Sequence, residues 1–299
     1  MVMISVFRPM LTARGCFALS TASRRAPLVC LSANSGPKPA PVRPANACRW
    51  LSATGGGGQE GLDVEGAKGA LRRAQAVCFD VDSTVIAEEG IDVLADFCGA
   101  AEAVADLTNR AMGGSMPFRD ALKARLDLMT PSKETVERCL REHPPRLSPG
   151  ISELVSALHE RGVVVYLVSG GFRQMIEPVA DLLSIPRGNI FANRLLFCDG
   201  SGSDDSSAST GGKYVGFSTT EPTSECGGKP KVVGLLSKEF GYDCVVMVGD
   251  GATDMQAKPP AKAFIGYGGV TVREAVRKGA DWFVTDFGPL IETLEEGEE

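Results

Sequence analysis

Several features that common classes of protein depend on are scarce or absent in this sequence. Its 299 residues include two histidines, and its nine cysteines form no C-x-x-C pair, so the ligand spacing of a structural zinc site is missing. No G-x-x-x-x-G-K-[ST] segment occurs, which excludes nucleotide binding through that phosphate loop. No apolar run is long enough to cross a bilayer, and we expect no membrane partner. The chemistry therefore falls to carboxylates, hydroxyls and basic side chains.

Acidic residues are absent from the first 59 positions, which contain seven basic residues and close with a run of glycines. The formal net charge of −6 divides into +7 for this segment and −13 for the remainder. Such a Ser-, Ala-, Pro- and Arg-rich segment is typical of an organelle transit peptide, and we assign residues 1–65 to one, with simple disorder as the alternative. We expect a soluble protein in the chloroplast stroma or, alternatively, the mitochondrial matrix. The acidic remainder argues against nucleic acid as a partner.

The rest of the chain is organised around residues 76–84, an apolar run that ends in two carboxylates. A short apolar run predicts a buried strand. If the chain is still extended there, Asp80 and Asp82 point to the same side, because side chains alternate along a strand. Two carboxylates at the carboxyl end of a strand predict a metal site, an acid/base pair, or both. The alternative is a turn in which an Asp caps the backbone.

Strand and helix patterns alternate along the sequence, which predicts an α/β fold with a doubly wound, mostly parallel, Rossmann-like sheet. Helical periodicity between residues 88 and 142 is too long for an ordinary crossover. We interpret residues 88–145 as a helical cap inserted over the carboxyl ends of the strands. The α/β core then comprises residues 66–87 and 146–299, and the Gly/Ser-rich stretch 199–212 is a low-complexity loop within it.

Polar clusters follow three predicted strands, at residues 80–84, 169–171 and 250–254, and a fourth, 227–229, begins a helix. Each is weak alone, because a Gly pair after a strand is usually a turn and a Lys before a helix is usually solvated. In an open α/β sheet, however, ligands bind at the carboxyl ends of the strands. These loops are therefore predicted to share one crevice.

Two of the clusters suit a phosphate group. The Ser169 hydroxyl and the N–H groups of Gly170 and Gly171 can hold phosphate oxygens at a helix N-terminus, with no side chain in the way. Lys229 precedes Pro230 at another helix start, where anions are favoured.

The other two clusters suit Mg²⁺ and a covalent mechanism. Asp80 and Asp250, with Asp254 as a further candidate, offer the hard oxygens that Mg²⁺ prefers. With phosphate bound, an aspartate can act as a nucleophile and form an aspartyl phosphate. Asp82 would then serve as general acid and base, its pKa raised by the second carboxylate. Thr84 is expected to fix the loop.

Taken together, these segments resemble the four motifs of the haloacid-dehalogenase-like hydrolase superfamily, over residues 76–294. The motifs read Asp80-Val81-Asp82-Ser83-Thr84, Ser169-Gly170-Gly171, Lys229 and Gly249-Asp250-Gly251-Ala252-Thr253-Asp254. Cap segments 88–92 and 110–114 narrow the resemblance to members that hydrolyse O-phospho-L-serine in the last step of phosphorylated serine biosynthesis. The superfamily motifs are specific together and weak apart.

The resemblance implies Asp80 as nucleophile and Asp82 as general acid/base, with Mg²⁺ held by Asp80, the Asp82 backbone carbonyl and Asp250. The implied phosphate ligands are Ser169, Gly170 and Lys229, with Thr253 nearby. The implied substrate pocket in the cap has Glu89 for the ammonium, Arg125 for the carboxylate, and Met112, Gly113 and Phe118 as lining. Thr84 and Asp254 would support this site from behind. A homodimer is expected from the family alone.

Alternatives stay open at this point. Arg125 would equally suit a surface ion pair with Asp127 or Asp120, and Glu89 a helix-start carboxylate. The substrate could be another small phosphomonoester handled by the same mechanism. A catalytically silent ligand-binding module on this fold is a third hypothesis, although all four key residues (Asp80, Asp82, Lys229 and Asp250) are present.

Overall fold

The computed structural model describes residues 62–112, 116–198 and 212–296. The predicted transit segment up to residue 61, the loop from 199 to 211 and Gly113 lie outside the described residues, as does the side chain of Met112. No helix of the described ranges is long and apolar enough to cross a membrane.

A central sheet of six strands organises the fold. The strands of the described residues are β1 (Ala76–Phe79), β2 (Val164–Phe172), β3 (Ile190–Asn193), β4 (Leu195–Phe197), β5 (Tyr214–Phe217), β6 (Val245–Gly249), β7 (Ala263–Tyr267) and β8 (Trp282–Val284). The sheet order is β3-β2-β1-β6-β7-β8, with every pairing parallel, and β4 and β5 form a separate antiparallel hairpin. This topology confirms the predicted doubly wound sheet.

Helices connect the strands. They are α1 (Val64–Arg72), α2 (Gly90–Phe97), α3 (Ala101–Met112), α4 (Phe118–Met129), α5 (Lys133–Glu142), α6 (Ile151–Glu160), α7 (Arg173–Leu182), α8 (Gly228–Phe240), α9 (Ala252–Met255), α10 (Glu274–Gly279) and α11 (Gly288–Glu295). Helix α1 begins inside the segment assigned to the transit peptide, because Asp63 accepts a hydrogen bond from the Gly66 N–H (3.0 Å) and caps the helix. Helices α2–α5 occupy the predicted helical stretch between β1 and β2, and we call them the cap helices.

Alternate side chains of β1 are buried on opposite faces of the sheet. Val77 and Phe79 belong to an apolar cluster with residues of α1, α6, α7 and α11, whereas Ala76 and Cys78 belong to a second cluster with residues of α8. A strand that is buried on both faces has a continuous run of apolar residues in its sequence, and β1 has such a run.

The cap helices pack around an apolar cluster of their own, which includes Leu94, Leu122 and Leu126. Phe172 at the end of β2 and Leu195 of β4 belong to the same cluster. Full burial of each of these leucines contributes roughly 2 kcal/mol. The shared cluster therefore holds the cap helices at the carboxyl ends of the core strands.

The register of the sheet brings the polar strand ends together. Phe79, the last residue of β1, lies opposite Leu167 of β2 and Val248 of β6, and the Asp80 N–H donates to the Val248 carbonyl (2.9 Å). The chain runs from β1 outward through β2 to β3, then crosses to β6 on the other side. The loops after β1 and β6 therefore flank the point where the strand order reverses, the usual position of a ligand crevice.

Candidate active site

Asp80 and Asp82 both have extended backbone conformations, with φ/ψ of −65°/157° and −63°/133°. The condition for the two carboxylates to share one side, an extended chain at both, is therefore met. A tight turn, Val81–Val85, follows, in which Ser83 has a left-handed conformation. The Asp80 Oδ1 accepts the Val81 N–H (2.8 Å), which is the local cap of the alternative interpretation. Its Oδ2 is held by a different group, Lys229 (2.7 Å).

Three aspartates form a buried cluster at these strand ends. Oxygens of Asp80, Asp250 and Asp254 lie within 4.8 Å of one another, and Thr84 Oγ1 donates to Asp250 Oδ1 (3.4 Å). Burial, and then the charge of Asp80, raises the pKa of Asp250 and, more strongly, that of Asp254. Such a concentration of hard oxygen ligands suits a divalent cation.

Lys229 supplies a positive charge to the carboxylate cluster. Its Nζ lies 2.7 Å from Asp80 Oδ2 and 2.5 Å from Asp254 Oδ1. Burial favours the neutral amine, but the two carboxylates outweigh it and hold the pKa of Lys229 above its ordinary value. The ammonium sits in the first turn of α8, which begins at Gly228. Asp254 Oδ2 accepts the Gly251 N–H (3.0 Å), so Asp254 fixes both Lys229 and the loop after β6.

Asp82 has the environment of a general acid. Burial, followed by the charges of Glu89 and Asp80, raises the pKa of Asp82 to about 7. Its Oδ1 accepts the N–H of Gly90 at the start of α2 (2.7 Å), and its Oδ2 accepts the Ser169 hydroxyl (3.3 Å). A carboxyl group with a pKa near neutrality can both give and take a proton.

The Ser169-Gly170-Gly171 segment differs from its prediction in one respect. Strand β2 continues through it to Phe172, and α7 begins only at Arg173, so the prediction that the strand ends before Ser169 was wrong. The pairing of β2 with β3 is irregular between Val168 and Phe172, which lets the strand pass through the glycines. The Gly171 N–H donates to Ser169 Oγ (2.9 Å).

Two close approaches explain the glycines of this segment. A Cβ on Gly171 would lie 2.7 Å from Asp82 Oδ2, and one on Gly170 would lie 3.3 Å from Phe118 Cζ. The absence of a Cβ at Gly171 therefore leaves room for the carboxylate of Asp82. The second approach places Phe118 of the cap helices directly over the predicted phosphate loop.

Glu89 and Arg125 lie near each other in the cap helices. Glu89 stands at the start of α2 without capping it; instead Glu89 Oε1 accepts the Ser83 hydroxyl (2.7 Å). Asp127 pairs with Lys123 (2.5 Å) rather than with Arg125. Burial lowers the pKa of Arg125, while the charges of Asp92 and Glu89 oppose that shift. Burial raises the pKa of Glu89, against the effect of the Ser83 hydrogen bond. The cation of Arg125 thus lies within electrostatic reach of the anion of Glu89.

Arg273 is a site residue that the sequence reasoning missed. Its Nε donates to Asp250 Oδ2 (2.8 Å), and its Nη2 lies 3.7 Å from Glu89 Oε1. It therefore joins the carboxylate cluster to the cap. Arg273 follows β7, so the rule that ligands bind at carboxyl strand ends could have included it. Thr253, by contrast, is exposed on α9.

Comparisons with known proteins agree with this geometry. A family model described as a haloacid dehalogenase-like hydrolase matches residues 74–258. The phosphoserine phosphatase of Rattus norvegicus is 56% identical over 223 residues, which are 75% of this chain and 94% of the rat protein. The chloroplastic phosphoserine phosphatase of Arabidopsis thaliana is 54% identical over 75% of this chain and 73% of its own length.

A solved structure described as a phospho-aspartyl intermediate analogue of phosphoserine phosphatase matches with a TM-score of 0.59 and 26% identity. The aligned residues make up 73% of this chain and 98% of the chain in that structure. The residues matched by the family model include every member of the carboxylate cluster and Lys229.

Proposed function

Because the chain belongs to the haloacid dehalogenase-like hydrolases, and among them to the phosphoserine phosphatases, we propose that Asp80 is the nucleophile of its reaction. The enzyme hydrolyses O-phospho-L-serine to L-serine and inorganic phosphate through an aspartyl phosphate, the last step of phosphorylated serine biosynthesis. The observation that carries the assignment is the position of Asp80. It directly follows β1, with one oxygen fixed by a backbone N–H and the other beside a buried ammonium.

The two steps require one nucleophile and one proton carrier. An Asp80 oxygen attacks phosphorus and the bond from phosphorus to the serine oxygen breaks, while Asp82 gives its proton to that oxygen. Asp82 then takes a proton from water, the water oxygen attacks phosphorus, and the bond to Asp80 breaks. The acid form is therefore needed first and the base form second, which suits a pKa of about 7 for Asp82.

The phosphoryl oxygens need positive charge and hydrogen-bond donors around them. We assign these roles to Lys229, the Ser169 hydroxyl and the Gly170 N–H, with Thr253 beside them. Gly171 contributes indirectly, since its N–H orients Ser169 (2.9 Å). Preorganised donors of this kind are the largest source of stabilisation in phosphoryl transfer.

The carboxylates fit a metal ion, and we propose Mg²⁺. Asp80, Asp250 and the backbone carbonyl of Asp82 would hold it, whereas Asp254 is committed to Lys229 and the Gly251 N–H. Once bound, the ion supplies charge that offsets the repulsion between a carboxylate and the phosphoryl oxygens. Thr84 orients Asp250 from behind (3.4 Å).

Recognition of the serine moiety is assigned to the cap helices. Glu89 would bind the ammonium and Arg125 the carboxylate, with Phe118 as lining. The other two proposed lining residues are Met112 and Gly113; the side chain of Met112 and the whole of Gly113 lie outside the described residues. A zwitterion needs one anion and one cation beyond the phosphate site, and the charge of Glu89 acts on the pKa of Arg125.

The boundaries of the parts are also proposals. We propose a core of residues 66–87 and 146–299, a cap of residues 88–145 and a chloroplast transit segment before them. The N-terminal segment, which contains seven basic residues and no acidic ones, supports import into the chloroplast. The name of the Arabidopsis relative, a chloroplastic enzyme, supports the same location. Helix α1 is capped by Asp63, so cleavage before Asp63 would leave the helix intact.

Replacing Arg125 with Ala tests the substrate assignment. We expect kcat/KM for phosphoserine to fall about 100-fold, because a charged bidentate contact is lost. Hydrolysis of O-phosphoethanolamine, which has no carboxylate, should change less than about threefold. Lys123→Ala on the same helix removes only an exposed ion pair with Asp127 and is the matched control. Equal losses on both substrates would show that Arg125 does not recognise the carboxylate. A wild-type enzyme that does not hydrolyse phosphoserine would refute the function itself.

The alkaline limb of the pH profile should report Asp82. Burial and the charges of Glu89 and Asp80 raise the pKa of Asp82 to about 7, and only the protonated form can protonate the serine oxygen. We therefore expect kcat/KM to fall by about tenfold per pH unit above that value. A nitrophenyl phosphate, whose leaving group needs no proton, should show no such limb. An unchanged limb in Asp82→Asn would show that another group titrates.

A further inference from the structure

Ser83 occupies a backbone conformation that its side chain disfavours. Its φ of 55° and ψ of 11° lie in the left-handed region, which glycine adopts readily and residues with a Cβ rarely do. The residue is also almost completely buried, at 3% exposure. Backbone strain of this kind persists where the surrounding structure enforces it, often at functional sites.

Two hydrogen bonds join Ser83 to the segment that opens the cap helices. Its hydroxyl donates to Glu89 Oε1 (2.7 Å), and its backbone N–H donates to the Glu88 carbonyl (3.1 Å). The neighbouring Asp82 accepts the Gly90 N–H (2.7 Å). The tight turn after β1 therefore fastens three consecutive residues of the cap, and the Ser83 hydroxyl fixes the side chain among them.

The two oxygens of Glu89 are used differently. Among contacts within the described residues, both the Ser83 hydroxyl (2.7 Å) and Arg273 Nη2 (3.7 Å) lie on Oε1. That arrangement leaves Oε2 as the oxygen that can accept from a ligand. A glutamate side chain has three rotatable bonds, and holding one oxygen removes most of its freedom before a ligand arrives.

We propose that Ser83 is a positioning residue that sets selectivity for the substrate ammonium, by holding Glu89 so that Oε2 faces it. The inference rests on the proposed function and deepens it, since the nucleophile and the specificity contact are then carried by the same short turn. Ser83 touches no reacting atom. Its removal should therefore weaken recognition of the ammonium and leave the phosphoryl chemistry intact.

Two variants and two substrates test the proposal. Ser83→Gly removes the hydroxyl and relieves the backbone, so the variant should fold; Ser83→Ala removes the hydroxyl and keeps the Cβ. The substrates are phosphoserine and 3-(phosphonooxy)propanoate, which is phosphoserine without its ammonium. Ser184 has almost the same φ, 54°, and is exposed after α7. Ser184→Gly is therefore the matched control for the change in backbone.

We expect both Ser83 variants to lose about 10- to 30-fold in kcat/KM on phosphoserine, the size of a hydrogen bond to a charged group. The loss on the ammonium-free substrate should stay below about threefold, and Ser184→Gly should change neither. In a Glu89→Ala background, Ser83→Gly should cost nothing further, because the two residues act as one unit.

Equal losses on both substrates would overturn the inference, since Ser83 would then act on the chemistry or on folding. The inference would also be overturned if both variants kept the wild-type ratio of activity on phosphoserine to activity on the ammonium-free substrate. In that case the proposed function would still stand, provided that the wild-type enzyme prefers phosphoserine. A wild-type enzyme without that preference would instead refute the proposed function, and the inference with it.

Discussion

Asp80→Asn is expected to lower phosphoserine turnover by at least about 10,000-fold, because an amide cannot form the acyl phosphate and nothing else takes over a nucleophile's role. The fold should survive the change, since Lys229 keeps its contact with Asp254 (2.5 Å). Release of phosphate from phosphoserine measures the loss, and circular dichroism checks the fold. Activity above about 1% of wild type would exclude Asp80 as the nucleophile.

The matched control for this variant is Asp243→Asn. Asp243 is an exposed aspartate just before β6, at the opposite end of the sheet from the carboxylate cluster. The same change of charge there should leave turnover unaltered. A comparable loss in the control would mean that net charge, and not position, governs activity.

Lys229→Met is expected to have the second largest effect, because it damages both activity and stability. We expect kcat/KM to fall about 1,000-fold, since the phosphoryl group loses its nearest buried cation. The free energy of unfolding should fall by about 3–5 kcal/mol, because Asp254, with no exposed surface, is left as a buried unpaired carboxylate. Steady-state kinetics and urea denaturation measure the two losses separately.

Lys231→Met is the control for Lys229→Met. Lys231 lies two residues further along α8, where it pairs with Glu225 (2.9 Å) at the surface. Exposed pairs contribute about 0.2–1 kcal/mol, so this variant should remain active and nearly as stable as wild type.

A second substitution separates the two roles of Lys229. Adding Asp254→Asn to Lys229→Met removes the unpaired charge, so most of the lost stability should return while activity stays low. Recovery of activity together with stability would show that Lys229 serves folding alone. Failure to recover stability would mean that the cost lies elsewhere than in the carboxylate of Asp254.

The carboxylates at the strand ends could be predicted because their positions follow from local pattern. Apolar runs placed Asp80 after β1 and Asp250 after β6, and parallel register then brings such residues together without further information. Lys229 was recognisable by its place at a helix start. Helical periodicity likewise predicted the cap helices; in α4, for example, Leu122, Leu126 and Met129 recur at the spacing of one helix face.

Other features depend on tertiary contacts that no local pattern carries. Strand β2 runs on through the polar cluster 169–171 that was predicted to follow it, because Phe172 pairs with Asn193 of β3 after an irregularity. Arg273 reaches Asp250 only because the loop after β7 turns its side chain inward. The left-handed backbone of Ser83 could not be anticipated either, since serine has no local preference for it.

Identification of the residue that carries the phosphoryl group tests the central claim most directly. The full enzyme, mixed with phosphoserine and Mg²⁺ and quenched in acid within milliseconds, can be digested and examined by mass spectrometry. We predict one phosphorylated carboxyl group, on Asp80, that decays when the quench is delayed and is absent in Asp80→Asn. A phosphoryl group on Asp82 or on any other residue, or turnover without a phosphorylated enzyme, would contradict the account.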